Sequence, residues 1–151
     1  MKLAAMSVRT RTTKPKGGMK AVYINAGSVP IPRPTTLARL AEKVLTGEGL
    51  RGRINLVFCG NDHVRDLNRR FRKLDKVTDV LSFLYEEEDV LGEIYIASSQ
   101  AKKQAPRWKN SFYDELRRLV VHGALHLAGY DHMQTKDRKL MRVREDLYLG
   151  L

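Results

Sequence analysis

Apolar side chains recur along this chain with two periods, and the alternation between them predicts its elements. Residues 21–24 form a short apolar run that reads as a strand. Pro30, Pro32 and Pro34 then hold the chain extended, and Thr35 or Thr36 is placed to cap a helix. Leu37, Leu40, Ala41, Val44 and Leu45 give that helix one apolar face, and Gly47 ends it. Ile54, Leu56 and Phe58 alternate with Asn55, Val57 and Cys59 as in a strand. Gly60, Asn61 and Asp62 turn the chain into a helix whose buried line is Val64, Leu67 and Phe71. Residues 80–83 and 91–96 read as strands near enough in sequence to form a hairpin, and Ser98 or Ser99 caps a short helix ending before Pro106. Trp108 is expected to anchor the edge of the core. Ser111 and Asp114 have the spacing of a capping box, followed by Leu116, Leu119, Val120, Ala124 and Leu127 at helical spacing. Thr135 caps a last helix with Leu140, Met141, Leu147 and Tyr148 on its apolar face. Lys136, Arg138, Lys139, Arg142 and Arg144 give it a basic one.

About four strands in one small mixed sheet with about five helices make a single α+β domain. The order β-α-β-α-β-β requires at least one parallel pair and one antiparallel hairpin. The 151 residues suffice for one core. We assign residues 19–151 to that domain and residues 1–18 to a basic, flexible N-terminal extension. The first twenty residues hold Lys2, Arg9, Arg11, Lys14, Lys16 and Lys20 with no acid, and little to bury.

Charge narrows the partners. Lys and Arg number 28 against 17 Asp and Glu, a formal charge of +11 that favours a polyanion, nucleic acid first. Arg69, Arg70, Arg72, Lys73 and Lys76 crowd one helix end and its loop, where they suit the helix dipole or grip phosphate. The acidic run 86–89 is a solvated loop that would repel RNA. The single cysteine, Cys59, excludes an intrachain disulfide and fits a reducing, cytoplasmic setting. No apolar run is long enough to cross a membrane as a helix.

Candidate chemistry concentrates near the C-terminus. His122 and His126 stand one helical turn apart, about 6 Å along the axis and about 40° around it. Gly129 can take the left-handed conformation that ends a helix and returns His132 toward them. Three imidazoles suit one divalent transition metal, zinc first, and leave a position open for water, unless Asp131 closes the site as a fourth ligand. Zinc proteases with this ligand spacing carry Glu after the first His as general base, and here that position is Gly123. His63, in a capping turn, is read as an exposed residue and not a ligand.

The run from His122 to His132 resembles the signature of the YbeY family, bacterial metal-dependent endoribonucleases of ribosomal RNA maturation and ribosome quality control. Leu67-Asn68, Arg72, the run from Lys76 to Phe83, and Leu91-Gly92-Glu93-Ile94 follow the family's order, so the resemblance covers roughly residues 50–150. Val77 stands where the family usually has Pro. The resemblance implies a single-strand endoribonuclease acting on ribosomal RNA or the small subunit, with no small-molecule cofactor. It gives His122, His126 and His132 as metal ligands and Arg72 as a residue important for activity. Asp131 is expected to orient a ligand histidine. Either water activated by the metal or the RNA's own 2′-hydroxyl would attack, water being the simpler route. Two other readings stay open: a metallopeptidase-like hydrolase, and a non-catalytic rRNA-binding assembly factor with a structural metal.

Overall fold

The computed structural model describes residues 6–8, 18–85, 90–131 and 134–151. In chain order the elements are β1 (Met6–Val8), β2 (Lys20–Asn25), α1 (Pro34–Gly47), β3 (Arg53–Cys59), α2 (Asn61–Arg72), β4 (Val80–Tyr85) and β5 (Val90–Ala97). Then follow α3 (Ser98–Gln104), a 3-10 turn (Ala105–Trp108), α4 (Phe112–Leu127) and α5 (Thr135–Leu149). The strands form one sheet in the order β1-β4-β5-β3-β2. β3 pairs parallel with β2 and β5, while β4 and β5 pair antiparallel. A helix between strands returns the chain for parallel pairing, whereas the short link after β4 permits only a hairpin. The four expected strands are thus present, and a fifth, β1, pairs parallel with the outer edge of β4. It falls within the stretch expected to be an extension, where it gives partners to an otherwise open edge.

The sheet divides the helices. Ile54, Leu56, Phe58, Ile94 and Ile96 face a core shared with α1, α4 and Met141 of α5. Val57, Cys59, Leu81, Phe83 and Ala97 face the opposite way, toward Val64 and Leu67 of α2. Both faces of β3 are therefore covered, which a pattern of simple alternation understates. Burial pushes the Cys59 thiol up to about 11, so it stays protonated and inert, as expected. Among the described residues no helix is long and apolar enough to cross a membrane.

Several expected caps and contacts fall elsewhere. α1 starts on Pro34, with Arg33 at its cap in a left-handed conformation and no side-chain cap from a threonine. Pro lacks the N–H that a first-turn position would leave unpaired anyway. The short helix after β5 also lacks a serine cap, since Ser98 is buried and donates to the carbonyl of Cys59. α5 is preceded by Gln134, and Thr135 is its first helical residue. Phe71 is exposed and touches Phe83 edge-on, while the buried position on that helix face belongs to Asn68. Trp108 does not anchor the core: it is 65% exposed. On α5 only Met141 is fully buried, and Leu140 and Leu147 face solvent. The Ser111 cap holds, its Oγ accepting from the Asp114 N–H at 3.1 Å. The acidic run 86–89 lies outside the described residues.

α4 carries the candidate site, and its placement is rigid. Its apolar residues Leu116, Leu119, Val120, Ala124 and Leu127 are all buried. Near its start the buried Glu115 carboxylate accepts from Gln104 at 2.9 Å and from Asn110 at 3.2 Å, and it pairs with Arg118. Burial by itself would raise the Glu115 carboxyl, but these bonds hold it below the usual carboxylate range, so it stays ionised. Arg118 also approaches Asp79 at 3.8 Å, and Gln104 donates to Asp79 at 3.1 Å, tying α4 to the start of β4.

Candidate functional site

The end of α4 sets the geometry. Gly129 has φ 98°, and the N–H groups of Gly129 and Tyr130 donate to the carbonyls of His126 and Leu125 at 3.0 Å each. This closure folds the chain back over the last turn. It brings the Tyr130 carbonyl to 2.8 Å from His126 Nδ1. A carbonyl can only accept, so Nδ1 carries the proton and Nε2 presents a lone pair. The turn is itself anchored, since the Tyr130 hydroxyl donates to Glu48 at 2.9 Å and Arg144 donates to that hydroxyl at 3.0 Å.

His122 is treated the same way from another element. Its Nδ1 donates to the Glu145 carboxylate on α5, which leaves its Nε2 as a lone pair too. The two Nε2 atoms face each other at 2.9 Å between buried, near-perpendicular rings. Two lone pairs at that distance repel unless a positive charge lies between them. The ligand nitrogens of a tetrahedral ion with bonds of about 2.0–2.1 Å stand about 3.3 Å apart, close to this spacing. Imidazoles whose outer N–H groups are held by a carboxylate and a carbonyl are the usual donors to zinc and its neighbours. The donor set therefore fits a divalent transition metal. His132 lies outside the described residues, and among those described no group of three His, Cys, Asp or Glu side chains is placed to hold a metal.

Glu145 and the Tyr130 carbonyl hold the Nδ1 atoms of the two described histidines. Asp131 is half-buried and its charge acts on Arg72. Burial lowers the Arg72 pKa from the ordinary arginine value and the Asp131 carboxylate works against that, so the guanidinium stays charged at neutral pH. The basic cluster around it divides by role. Arg69 pairs with Asp66 at 2.8 Å, Arg70 lies 3.7 Å from the same carboxylate, and Arg65 binds Asp75 at 2.8 Å. Arg72 lies in the field of the Asp131 carboxylate, which follows Tyr130 in the chain. Buried Asn68 donates to the Lys76 carbonyl at 2.9 Å and fixes the loop that follows. His63 is exposed beside Tyr95, and its exposure is as expected.

Gly123 takes no part in the chemistry because it faces the sheet. A Cβ there would lie 2.7 Å from Ile94 Cγ2, 3.1 Å from Val80 Cγ2 and 3.2 Å from Ser82 Oγ. Ser82 Oγ also donates to the Gly123 carbonyl at 2.8 Å, so helix and strand nearly touch. Glu145 is the residue that sequence reasoning missed. It is 23 positions from His122, and no local spacing links the two. The one signal was a carboxylate interrupting the cationic face of the last helix. We expect Glu145→Ala to weaken metal retention about 10- to 100-fold, measured by chelator competition. An unchanged affinity would show that this carboxylate does not orient His122.

Residues 30–150 match the sequence model of the family described as Endoribonuclease YbeY. An Endoribonuclease YbeY of Desulforamulus reducens is 38% identical over 142 residues, which cover 83% of this chain and 93% of that protein. One of Chlorobaculum tepidum is 43% identical over 117 residues, covering 76% and 85% respectively. The solution structure of a Thermotoga maritima protein is similar with a TM-score of 0.58 and 33% identity, over 85% of this chain and 87% of that one.

Proposed function

This chain belongs to the endoribonuclease YbeY family, and from that premise we propose that it cuts single-stranded ribosomal RNA of the small subunit, in the cytoplasm, with one zinc ion held by His122, His126 and His132. It is an endoribonuclease, and the observation that supports a metal-dependent one is the facing pair of imidazole lone pairs, each fixed by a partner on its other nitrogen. Such a metal, when bound, supplies a Lewis acid for a phosphoryl oxygen and acidifies coordinated water.

The remaining work falls to the chain's own groups. Glu145 and the Tyr130 carbonyl hold the two imidazoles in the tautomer that can ligate. The Arg72 guanidinium supplies a permanent positive charge and two parallel donors for a phosphate beside the histidines. No carboxylate occupies the position of the peptidase base, since Gly123 is packed on the sheet, which speaks against the peptidase reading.

Labelled ribosomal RNA and casein, each with and without a chelator, test the proposal. We expect the RNA to be cut only without chelator and the casein to stay intact. RNA bound but never cut would favour a non-catalytic assembly factor. For Arg72, alanine should lower the rate of cleavage about 100- to 1,000-fold, in line with removal of one donor to a developing oxyanion. Lysine, which keeps the charge but loses the fork, should fall between. A fully active Arg72→Ala enzyme would remove Arg72 from the mechanism.

A further inference from the structure

The exposed Trp108 has no part in the packing of the core. It ends the 3-10 turn, and Lys109 after it takes a left-handed conformation with φ 55°. At 65% exposure, its indole forgoes the apolar burial that a side chain of its size usually finds. It lines a cleft of about 400 Å³ between the first half of α4 and the length of α5, a volume within the range of small-ligand sites. The other wall carries Arg138 and Arg142, one turn apart on the same face of α5. Like charges at that spacing repel, which an anion bound between them would relieve. His122 and its partner Glu145 also line the cleft, so it reaches the candidate metal site from the side on which Glu145 holds the His122 ring. Asp146 on the same wall offsets part of the positive charge, and buried Met141 gives the cleft an apolar lining.

We propose that this cleft is a nucleotide subsite for the single-stranded RNA substrate, in which a base stacks on Trp108 and the adjoining phosphate is held by Arg138 and Arg142. An aromatic face beside arginines is the pairing that binds single strands without regard to sequence, because every base has a π-face and every linkage a charge. The inference rests on the endoribonuclease reading and specifies where its substrate lies next to His122.

Trp108 is the only tryptophan in the chain, so its fluorescence reports on the subsite directly. A single-stranded oligoribonucleotide is titrated into the chelated, cleavage-silent protein. Intrinsic emission and the anisotropy of a label on the RNA are followed together. Stacking predicts that emission is quenched along the same binding curve that anisotropy reports, while inorganic polyphosphate binds without quenching. In the metal-loaded enzyme Trp108→Ala should raise KM about tenfold or more with kcat little changed, and Trp108→Phe should restore most of the loss. Arg138→Ala with Arg142→Ala should weaken RNA binding and flatten its salt dependence. Anisotropy that rises with no change in emission, or an unchanged KM in Trp108→Ala, overturns the subsite while leaving the nuclease reading intact. Absence of any RNA cleavage by the metal-loaded wild-type enzyme would overturn that reading instead.

Discussion

His126→Ala is expected to lose RNA cleavage and stoichiometric metal together. The ring is buried, its Nε2 faces that of His122 at 2.9 Å, and its Nδ1 is committed to the Tyr130 carbonyl. Removing it takes away a ligand rather than an orienting group, so the loss of affinity should exceed the roughly 10- to 100-fold that loss of an orienting partner causes. The fold should survive, because the turn beyond it is held separately by Glu48 and by the closing bonds of Gly129 and Tyr130. The orphaned carbonyl and the small cavity should cost about 1–3 kcal/mol. Thermal melts with and without chelator separate these effects. A ligand bound only by the folded state stabilises by about 4 kcal/mol at a thousand times its Kd. Chelation should therefore lower the wild-type Tm and leave that of His126→Ala where it was. A variant that still purifies with one equivalent of metal, or melts lower on chelation by the wild-type amount, would exclude His126 as a ligand.

The second large effect is on stability and comes from Gly123. Alanine there gains helix propensity worth up to about 1 kcal/mol. Its methyl, however, would meet Ile94 Cγ2 at 2.7 Å, and overpacking of a filled interior costs about 1–3 kcal/mol. Ile94 is itself fully buried and β-branched, so it has little freedom to move aside. We expect Gly123→Ala to be destabilised by about 1–2 kcal/mol in denaturant melts. Gly123→Glu, which would write the peptidase motif into the chain, should not fold. Besides the clash it places a carboxylate between α4 and the sheet beside Ile94, Val80 and Ser82, and a buried unpaired charge costs several kcal/mol. A folded Gly123→Glu protein with native stability would show that the helix does not approach the sheet as closely as described. Proteolytic activity in it would mean that position 123 faces the metal.

The strands and helices were legible from period alone, because each needs only its own stripe of apolar residues. The strand at residues 54–59, the helix after Gly60 and the helix before His122 lie where Ile54, Leu67 and Leu119 put them. The caps were less legible. Serine and threonine compete for that role with proline and with backbone geometry, so Pro34 and Ser98 took other parts. Trp108 and Phe71 were misread for a related reason. An aromatic residue is usually buried, but its burial depends on whether another element arrives to cover it.

The candidate site divides in the same way. The spacing of His122 and His126, and Gly129 after them, already determined that two imidazoles share a helix face and that the chain turns back beyond them. A helix has a fixed rise and twist, so four residues of separation define that geometry without help from the rest of the chain. Only the tertiary structure decided what holds each ring. The partner of His122 is Glu145 on another helix, and the turn that presents the Tyr130 carbonyl to His126 is moored to Glu48 at the end of α1. It also decided what Gly123 is for. In sequence the glycine marks an absent catalytic acid. In the fold it lets α4 lie almost in contact with β4 and β5, which is a matter of distance between elements that no local pattern encodes.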